Sequence, residues 1–508
     1  MIRTILFTTV LTVFSTIIVF SQTTNQTIKD TIQNVDSNGE IKGRVLDYDT
    51  KESLPYTNIY VLHKNRGTIS NEKGSFLLNV SGLKKNDTLR FQYIGYKTKE
   101  MTIGQSDTLS VIYLKENAIL LNESVVFGAS PDPVSIVKKV IQHKDENYKK
   151  TTCVWKAFIR ERNTSDIHHL HFDYKKSSIE NLSRDSVAML ERKIPKYSIS
   201  YTDFLGNIYL SGNKGDSLKI DPIRTVELKE KNMDELNQIG TLFKNIVANT
   251  GKNEYWKIKT GIFGQKLDLG VKDSLSKEDT LQYNQTKLLY FNRRIYFDLD
   301  YRWLNNKDSW EFLYKTGKYK YTLSGGTHAN GEDVYIIDFE PDNGGMYKGR
   351  LYIAAKTYAL IRADYEYAPG KNGTDFHLLG FGFTENDYHG SIYFEKRNGN
   401  YVLKYFSKQV GVDASFNRSL ALLKKRKRFL FDKKLKEVKI DVNLDVTSES
   451  SVEVLVLDEK KITPQQYEAF KQKKLMDIIS VNQFDDKLWK GYSIIEPAKQ
   501  MRDYKKPE

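Results

Sequence analysis

The chain has 508 residues, 39% of them hydrophobic and 28% charged, with a mean hydropathy of −0.54 and a net charge of +14. That length allows about two to four domains with a sizeable core, and that hydropathy excludes a polytopic helical membrane protein. With 32 Tyr against 10 Pro the chain reads as strand-rich, its charge favours anionic partners, and its one cysteine excludes an intrachain disulfide or a cysteine-built zinc site.

The N-terminus, MIRTILFTTVLTVFSTIIVFSQ, has one early cation, Arg3, followed by a long apolar run. Val19 and Ser21 are small enough to precede a cleavage point before Gln22, so residues 1–21 read as a secretory signal peptide. The run offers no cysteine for a bacterial lipoprotein anchor. The expected location is outside the cytoplasm, in the periplasm or at the outer membrane, with no transmembrane helix after cleavage and no nucleic-acid partner. Residues 22–39 are polar, carry no core pattern and read as a linker.

From Glu40 to about Phe127 short strand-like runs recur: IKGRVLDY, TNIYVLH, GSFLLNV, DTLRFQYIGY and TLSVIYL. Turn segments NRG, NEKG and SGLKKND separate them. This spacing predicts an all-β sandwich over 40–127, two half-buried sheets that each send alternate side chains into one core. Gly43, Leu54, Pro55, Asn58, Gly67, Thr68, Gly74, Phe76, Gly95 and Tyr96 stand where a carboxypeptidase-regulatory-like domain has such residues, and the segment resembles that family. The resemblance implies a transthyretin-like Greek-key sandwich. The module is also similar to the N-terminal extension of outer-membrane TonB-dependent transporters, where it is a non-catalytic appendage. The resemblance therefore implies compartment and architecture rather than chemistry.

In PDPVSIVKKVIQHKDENYKK (131–150), Val134, Val137, Val140 and Ile141 form one helical stripe, with Ser130 or Asp132 as cap. Residues 128–150 are expected to form a connecting helix. From 151 to 445 the pattern is mainly β, with strands expected at VWKAFIRER, HHLHFDY, YSISYTDFL, EYWKIKTGIF, RRIYFDLDYRW, YKYTL, VYIIDFEP, GRLYIAA, ALIRADYEY, GSIYFEK and YVLKYFSKQVG. Helical spacing appears over 232–249, where Leu236, Ile239, Phe243, Ile246 and Val247 align. The expected fold is mainly β: a Greek-key sandwich, then a larger domain with a curved antiparallel sheet and a few packing helices. Residues 446–508 are expected to be a C-terminal extension with a helix near 464–476, started by Thr463 and Pro464.

Motifs that carry chemistry are sparse. The sequence has no G-x-S-x-G elbow, P-loop or G-x-G-x-x-G. Cys153 alternates with Trp155, Ala157 and Ile159 and reads as a buried structural thiol. His143 and Glu146 share a helix face, and His169 and His171 a strand face, but neither pair has the third ligand that zinc needs. No catalytic residue, metal ligand or cofactor is assigned. The chain is expected to be a non-enzymatic envelope protein, a binding or assembly factor engaging lipid or an outer-membrane protein. A hydrolase with an unrecognised site in the large domain and a structural component of a membrane complex remain as alternatives.

Residues 331–367, GEDVYIIDFEPDNGGMYKGRLYIAAKTYALIRADYEY, read as a three-strand meander. In the last strand Ile361, Ala363, Tyr365 and Tyr367 alternate with Arg362, Asp364 and Glu366. The meander resembles the core hairpins of lipoprotein-carrier-like domains, half-open bent sheets with an apolar concave face under helices. That resemblance implies an acyl-chain or hydrophobic-peptide groove lined by Ile337, Phe339, Leu351, Ile353, Ile361 and Tyr365. The alternation itself also fits a closed core. Lys424, Lys425, Arg426, Lys427 and Arg428 form a basic surface suited to lipid phosphates, an anionic envelope surface or an acidic partner, a contact that salt would weaken.

Overall fold

The computed structural model describes residues 39–504, except 65, 107–110, 118–131, 181, 213–217, 229–249, 252, 262, 268–287, 290, 297–298, 300–302, 330, 430 and 474. The expected signal peptide and most of the linker, and the helix expected over 232–249, lie outside the described residues. Among the described residues no helix is long and apolar enough to cross a membrane.

Seven short strands make the N-terminal unit: β1 Glu40–Asp47, β2 Asn58–Val61, β3 Gly67–Ile69, β4 Ser75–Asn79, β5 Thr88–Gln92, β6 Lys99–Thr102 and β7 Val111–Leu114. They form two sheets, ordered β4–β1–β7 and β3–β2–β5–β6. Alternate residues of both sheets, among them Val45, Ile59, Phe76, Leu89, Phe91 and Ile112, fill one core. The turn into β4 depends on Gly74, whose φ is +72° and where a Cβ would meet the Val45 carbonyl oxygen at 2.4 Å. Asn71 supports the same turn by accepting from the Lys73 and Ser75 amides.

The large sheet is built from β8 Cys153–Ser177, β9 Tyr197–Leu210, β10 Lys219–Leu228, β11 Glu254–Thr260, β12 Phe263–Leu267, β13 Tyr319–Ala329 and β14 Glu332–Pro341. It continues with β15 Tyr347–Ala354, β16 Leu360–Tyr367, β17 Asp375–Leu378, β18 Phe381–Arg397, β19 Asn400–Arg426, β20 Lys433–Lys461 and β21 Ile479–Val481. The order is β13–β14–β15–β16–β18–β19–β20–β8–β9–β10–β21, with β11 and β12 beside the far end of β19 and β17 beside β18. The sheet is curved and mixed: β10 and β21 pair in parallel, the others antiparallel.

The expected meander is β14, β15 and β16. The alternation within it extends across the neighbouring strands from β14 to β9, so one face there is apolar. Ile337, Leu351, Ala363, Ile392, Phe406, Val454, Ile159 and Phe204 lie opposite one another in succession, and each is buried. Fully burying side chains of this size stabilises the fold by about 1.5–3 kcal/mol each.

What covers this face differs from expectation in one place. RRIYFDLDYRW (293–303), expected as a strand, is helical at 293–296 and 299 among its described residues, in a helical stretch that includes 291 and 292. Its aromatic residues favour strands, but Phe291, Ile295 and Leu299 recur every four residues and are all buried, so one helical face packs on the sheet. Phe291 meets Phe204 at a ring separation of 5.3 Å. The short helix Glu311–Tyr314 adds Phe312, stacked on Phe339 at 4.5 Å. The connecting helix, Pro133–Gln142, is capped by Asp132 and buries Ile136, Val137 and Val140.

The boundary expected at 445/446 falls inside β20, which runs unbroken across it. The polar stretch TSESS precedes SVEVLVL, whose alternating residues pair with β19 and β8 in the middle of the sheet. The helix expected near 464–476 ends at Ala469, although it starts as expected with Thr463 as cap and Pro464 in its first turn, and Gln466 completes a capping box. It stops because Phe470 turns out to stack on Tyr209 at 3.8 Å, and Lys219 Nζ donates to the carbonyls of Tyr467 and Phe470.

Candidate functional site

The other face of the large sheet is polar, and its residues are in register. Thr322, Asp338, Arg350, Asp364, Ser391, Ser407, Glu453, Arg160 and Asp203 lie opposite one another in turn from β13 to β9. At about 4.8 Å between strands, this row is about 40 Å long. A second row, two residues along, reads Lys348, Glu366, His389, Gln409, Ser451, Arg162 and Tyr201. A third, on the opposite side of the first, is largely aromatic: Tyr352, Arg362, Tyr393, Tyr405, Leu455 and Phe158.

The N-terminal sandwich packs on the third row. Tyr56 stacks on Tyr405 at 4.7 Å, and the Arg362 guanidinium lies 4.5 Å from the Tyr93 ring while Nη2 donates to its hydroxyl at 3.1 Å. The C-terminal segment threads the same junction. Thr68 Oγ1 and Asn71 Nδ2 donate to the carbonyls of Ile494 and Glu496, and Trp489 meets Phe158 edge-on. Between sandwich, sheet and C-terminal segment remains a cleft of about 900 Å³. It is floored by the two polar rows and walled by Tyr56, Glu72, Tyr93 and Glu496.

The charges at the two ends of the floor are satisfied within the protein. Arg350 grips Asp338 through Nε at 2.6 Å and Nη2 at 3.0 Å. Asp364 accepts from Arg362 Nε at 2.7 Å and from Ser391 at 2.6 Å. At the far end Arg160 clamps Asp203 with two bonds of 2.8 and 2.7 Å, and its Nη1 donates to the Ile495 carbonyl at 3.0 Å. The middle of the floor is neutral and polar: Ser391, Ser407, Gln409 and Ser451. At the edge of the cleft, the buried Tyr201 hydroxyl in the floor and one Glu496 oxygen in the wall have no hydrogen-bond partner among the described residues.

Glu453 stands apart. Burial pushes its carboxyl up to about 7, with nearby Glu72 and Asp203 raising it further against the opposing pull of Arg160. It accepts a hydrogen bond from the Tyr405 hydroxyl at 3.1 Å. A carboxyl raised on folding binds protons more tightly in the native state than in the unfolded chain. Its contribution is therefore complete below the unfolded value near 4.5 and is lost as pH rises through about 7. Glu453→Gln should remove this loss: at pH 8 the variant is expected to be more stable than wild type by about 1–2 kcal/mol, allowing for the side chain's partial exposure to the cleft. Thermal melts of both proteins between pH 5 and 8 check this. Parallel curves would contradict it.

The six residues expected to line an apolar groove are not in this cleft's polar floor. Ile337, Phe339, Leu351, Ile353, Ile361 and Tyr365 all belong to the central core cluster, with exposures between 0 and 4%. Phe312 fills the space over them, 4.5 Å from Phe339 and 4.9 Å from Tyr365, and Trp310 lies 5.7 Å from Tyr365. The groove reading gives way to a packed core because Leu288, Phe291, Ile295, Leu299, Trp310 and Phe312 join the same buried cluster. Phe339 and Tyr365 are among the residues lining the cleft, but both are buried in the core cluster.

The basic run lies at the far end of β19, away from the cleft. Lys424 and Arg426 both pair with Glu254 at 2.8 Å, holding that carboxyl well down at about 2, while Lys427 and Arg428 are exposed. His143 caps its helix and packs on Tyr358, and His168 bonds Thr447. No three His, Cys, Asp or Glu side chains among the described residues are grouped to hold a metal ion. Cys153 is buried, with Trp155 and Ala157 beside it in the core.

Residues 41–126 match the family model of the CarboxypepD_reg-like domain, the region of the two small sheets. Solved structures similar to this chain include MucB in complex with MucA(peri), at 8% identity over 62% of this chain and 94% of that one, with a TM-score of 0.15. The Pseudomonas aeruginosa MucA/MucB complex overlaps at 9% identity over 66% and 100%, TM-score 0.17. MucB alone overlaps at 10% identity over 63% and 94%, TM-score 0.15. No curated protein matches the chain.

Proposed function

We propose that the protein is a non-enzymatic binding protein of the periplasm or inner face of the outer membrane, whose ligand lies between the sandwich and the polar face of the large sheet. The location rests on the apolar leader at 1–21 and on the regulatory-like domain at 41–126. The observation that carries the binding reading is the cleft. Its 900 Å³ suits a ligand site, where about 300–1,000 Å³ is usual.

The lining sets the ligand's chemistry. The end charges are already paired, and the centre offers hydroxyls and amides beside the Tyr56 and Tyr352 rings. A neutral or zwitterionic polar molecule satisfies that surface. An acyl chain would strand its hydrogen-bonding groups, and a polyanion would meet Glu72, Glu453 and Glu496. Native mass spectrometry of protein purified from envelope fractions, followed by solvent partition of what is released, tests the reading. A water-soluble adduct is expected, absent from Ser407→Trp, whose indole fills the middle of the cleft. A lipid adduct, or none in the wild type, would sink it.

A second reading, hydrolysis with Glu453 as general acid, is favoured by that carboxyl's value near neutrality. Its neighbours weigh against it, since Asp203 and Asp364 are engaged by Arg160 and Arg362. Turnover of the released ligand by wild type but not by Glu453→Gln would establish it.

A further inference from the structure

The hairpin β19–β20, with strands of 27 and 29 residues, stays paired out to Arg426 opposite Lys433. Its apex carries Phe429 and Phe431, with exposures of 101% and 85%. No other large apolar side chain among the described residues is as exposed. Residues 425–436 hold seven cations and one acid, Asp432, whose carboxylate is engaged by the Tyr255 hydroxyl. Lys427, Arg428 and Lys433 have no side-chain hydrogen bond or ion pair among the described residues, whereas Arg426 and Lys434 are held by Glu254 and Glu437.

Nothing in the fold requires two bare phenyl rings at a hairpin apex; each exposes apolar surface to water at a cost. We propose that this tip docks on an anionic phospholipid bilayer, with Phe429 and Phe431 entering the boundary between headgroups and acyl chains and Lys427, Arg428 and Lys433 contacting lipid phosphates. Geometry favours a bilayer over a protein partner. The tip is apolar at its apex, and Lys427, Arg428 and Lys433 lie one or two residues behind the nearer phenylalanine. At about 3.3 Å per extended residue that offset is about 3–7 Å, comparable to the roughly 5–10 Å to which interfacial elements enter a membrane. The order of groups along the tip thus matches the order of layers in a leaflet, acyl chain then phosphate. This inference is independent of the cleft and of its ligand.

Co-sedimentation with vesicles tests it, using residues 22–508, which contain every described residue and lack the apolar leader. Wild type is expected to bind phosphatidylcholine vesicles containing phosphatidylglycerol and to bind pure phosphatidylcholine far less. Phe429→Ser/Phe431→Ser should lower the partition at least about tenfold, and Lys427→Glu/Arg428→Glu similarly. An unchanged melting temperature in both shows that the fold is intact. A wild type that binds neither vesicle, or a phenylalanine variant that binds as wild type, overturns the proposal. So does an envelope protein captured by wild type but not by the tip variants, with no vesicle binding.

Discussion

Asp203→Ala is expected to lower the unfolding free energy by about 3–5 kcal/mol, read as a fall in the urea midpoint. Arg160 and Asp203 are buried at 5 and 1% exposure, and two short hydrogen bonds join them. Removing the carboxylate leaves a guanidinium out of water with one strong acceptor, the Ile495 carbonyl. The loss would extend beyond the pair. Arg160 also holds the 494–496 segment, which in turn accepts from Thr68 and Asn71 of the sandwich. Hydrogen exchange of the sandwich should therefore rise in the variant. The double variant Arg160→Met/Asp203→Leu should recover much of the stability, because two apolar side chains leave no stranded charge. A single variant within 1 kcal/mol of wild type would mean that water reaches the pair, contrary to its burial.

Phe312→Ala is expected to cost about 3–5 kcal/mol, as for a large aromatic truncated inside a packed core. Phe312 is fully buried, with Phe339, Tyr347 and Tyr365 around its ring. The same substitution distinguishes the two readings of the apolar face. A side chain lining an open groove would be lost at about 1 kcal/mol or less and would change ligand affinity instead. A large fall in the melting temperature with unaltered occupancy of the polar cleft is the expected pattern.

Much of this fold is legible in local patterns. The five runs between Ile41 and Leu114 have strand alternation and each holds a strand of the two small sheets, but the short strands Gly67–Ile69 and Lys99–Thr102 lie between the runs and are not legible as strands. The meander at 334–367 is equally plain. RRIYFDLDYRW misleads because its aromatics favour strands, whereas the apolar residues that pack on the sheet, Ile295 and Leu299 with Phe291 just before the run, fall at helical spacing. The cleft was harder to see for a different reason. Arg350, Arg362, Asp364, Glu453, Arg160 and Asp203 each sit at an outward position of an amphipathic strand, where charge ordinarily means solvent. Strand register, which spans up to about 300 residues of sequence here, brings them together in neighbouring rows of one face. One local sign was present: RER, TDF, GRL and IRAD place Arg or Asp where exposed strand faces more often carry Lys or Thr, and Arg with Asp forms the bidentate pairs suited to burial.

The electron density of protein purified from its native envelope, without added ligand, tests the central claim most directly. A polar molecule lying over Ser391, Ser407 and Glu453, with Tyr56 of the sandwich against it, is the predicted result. An acyl chain between Phe312 and the plane of Ile337, Leu351 and Ala363 would contradict the account.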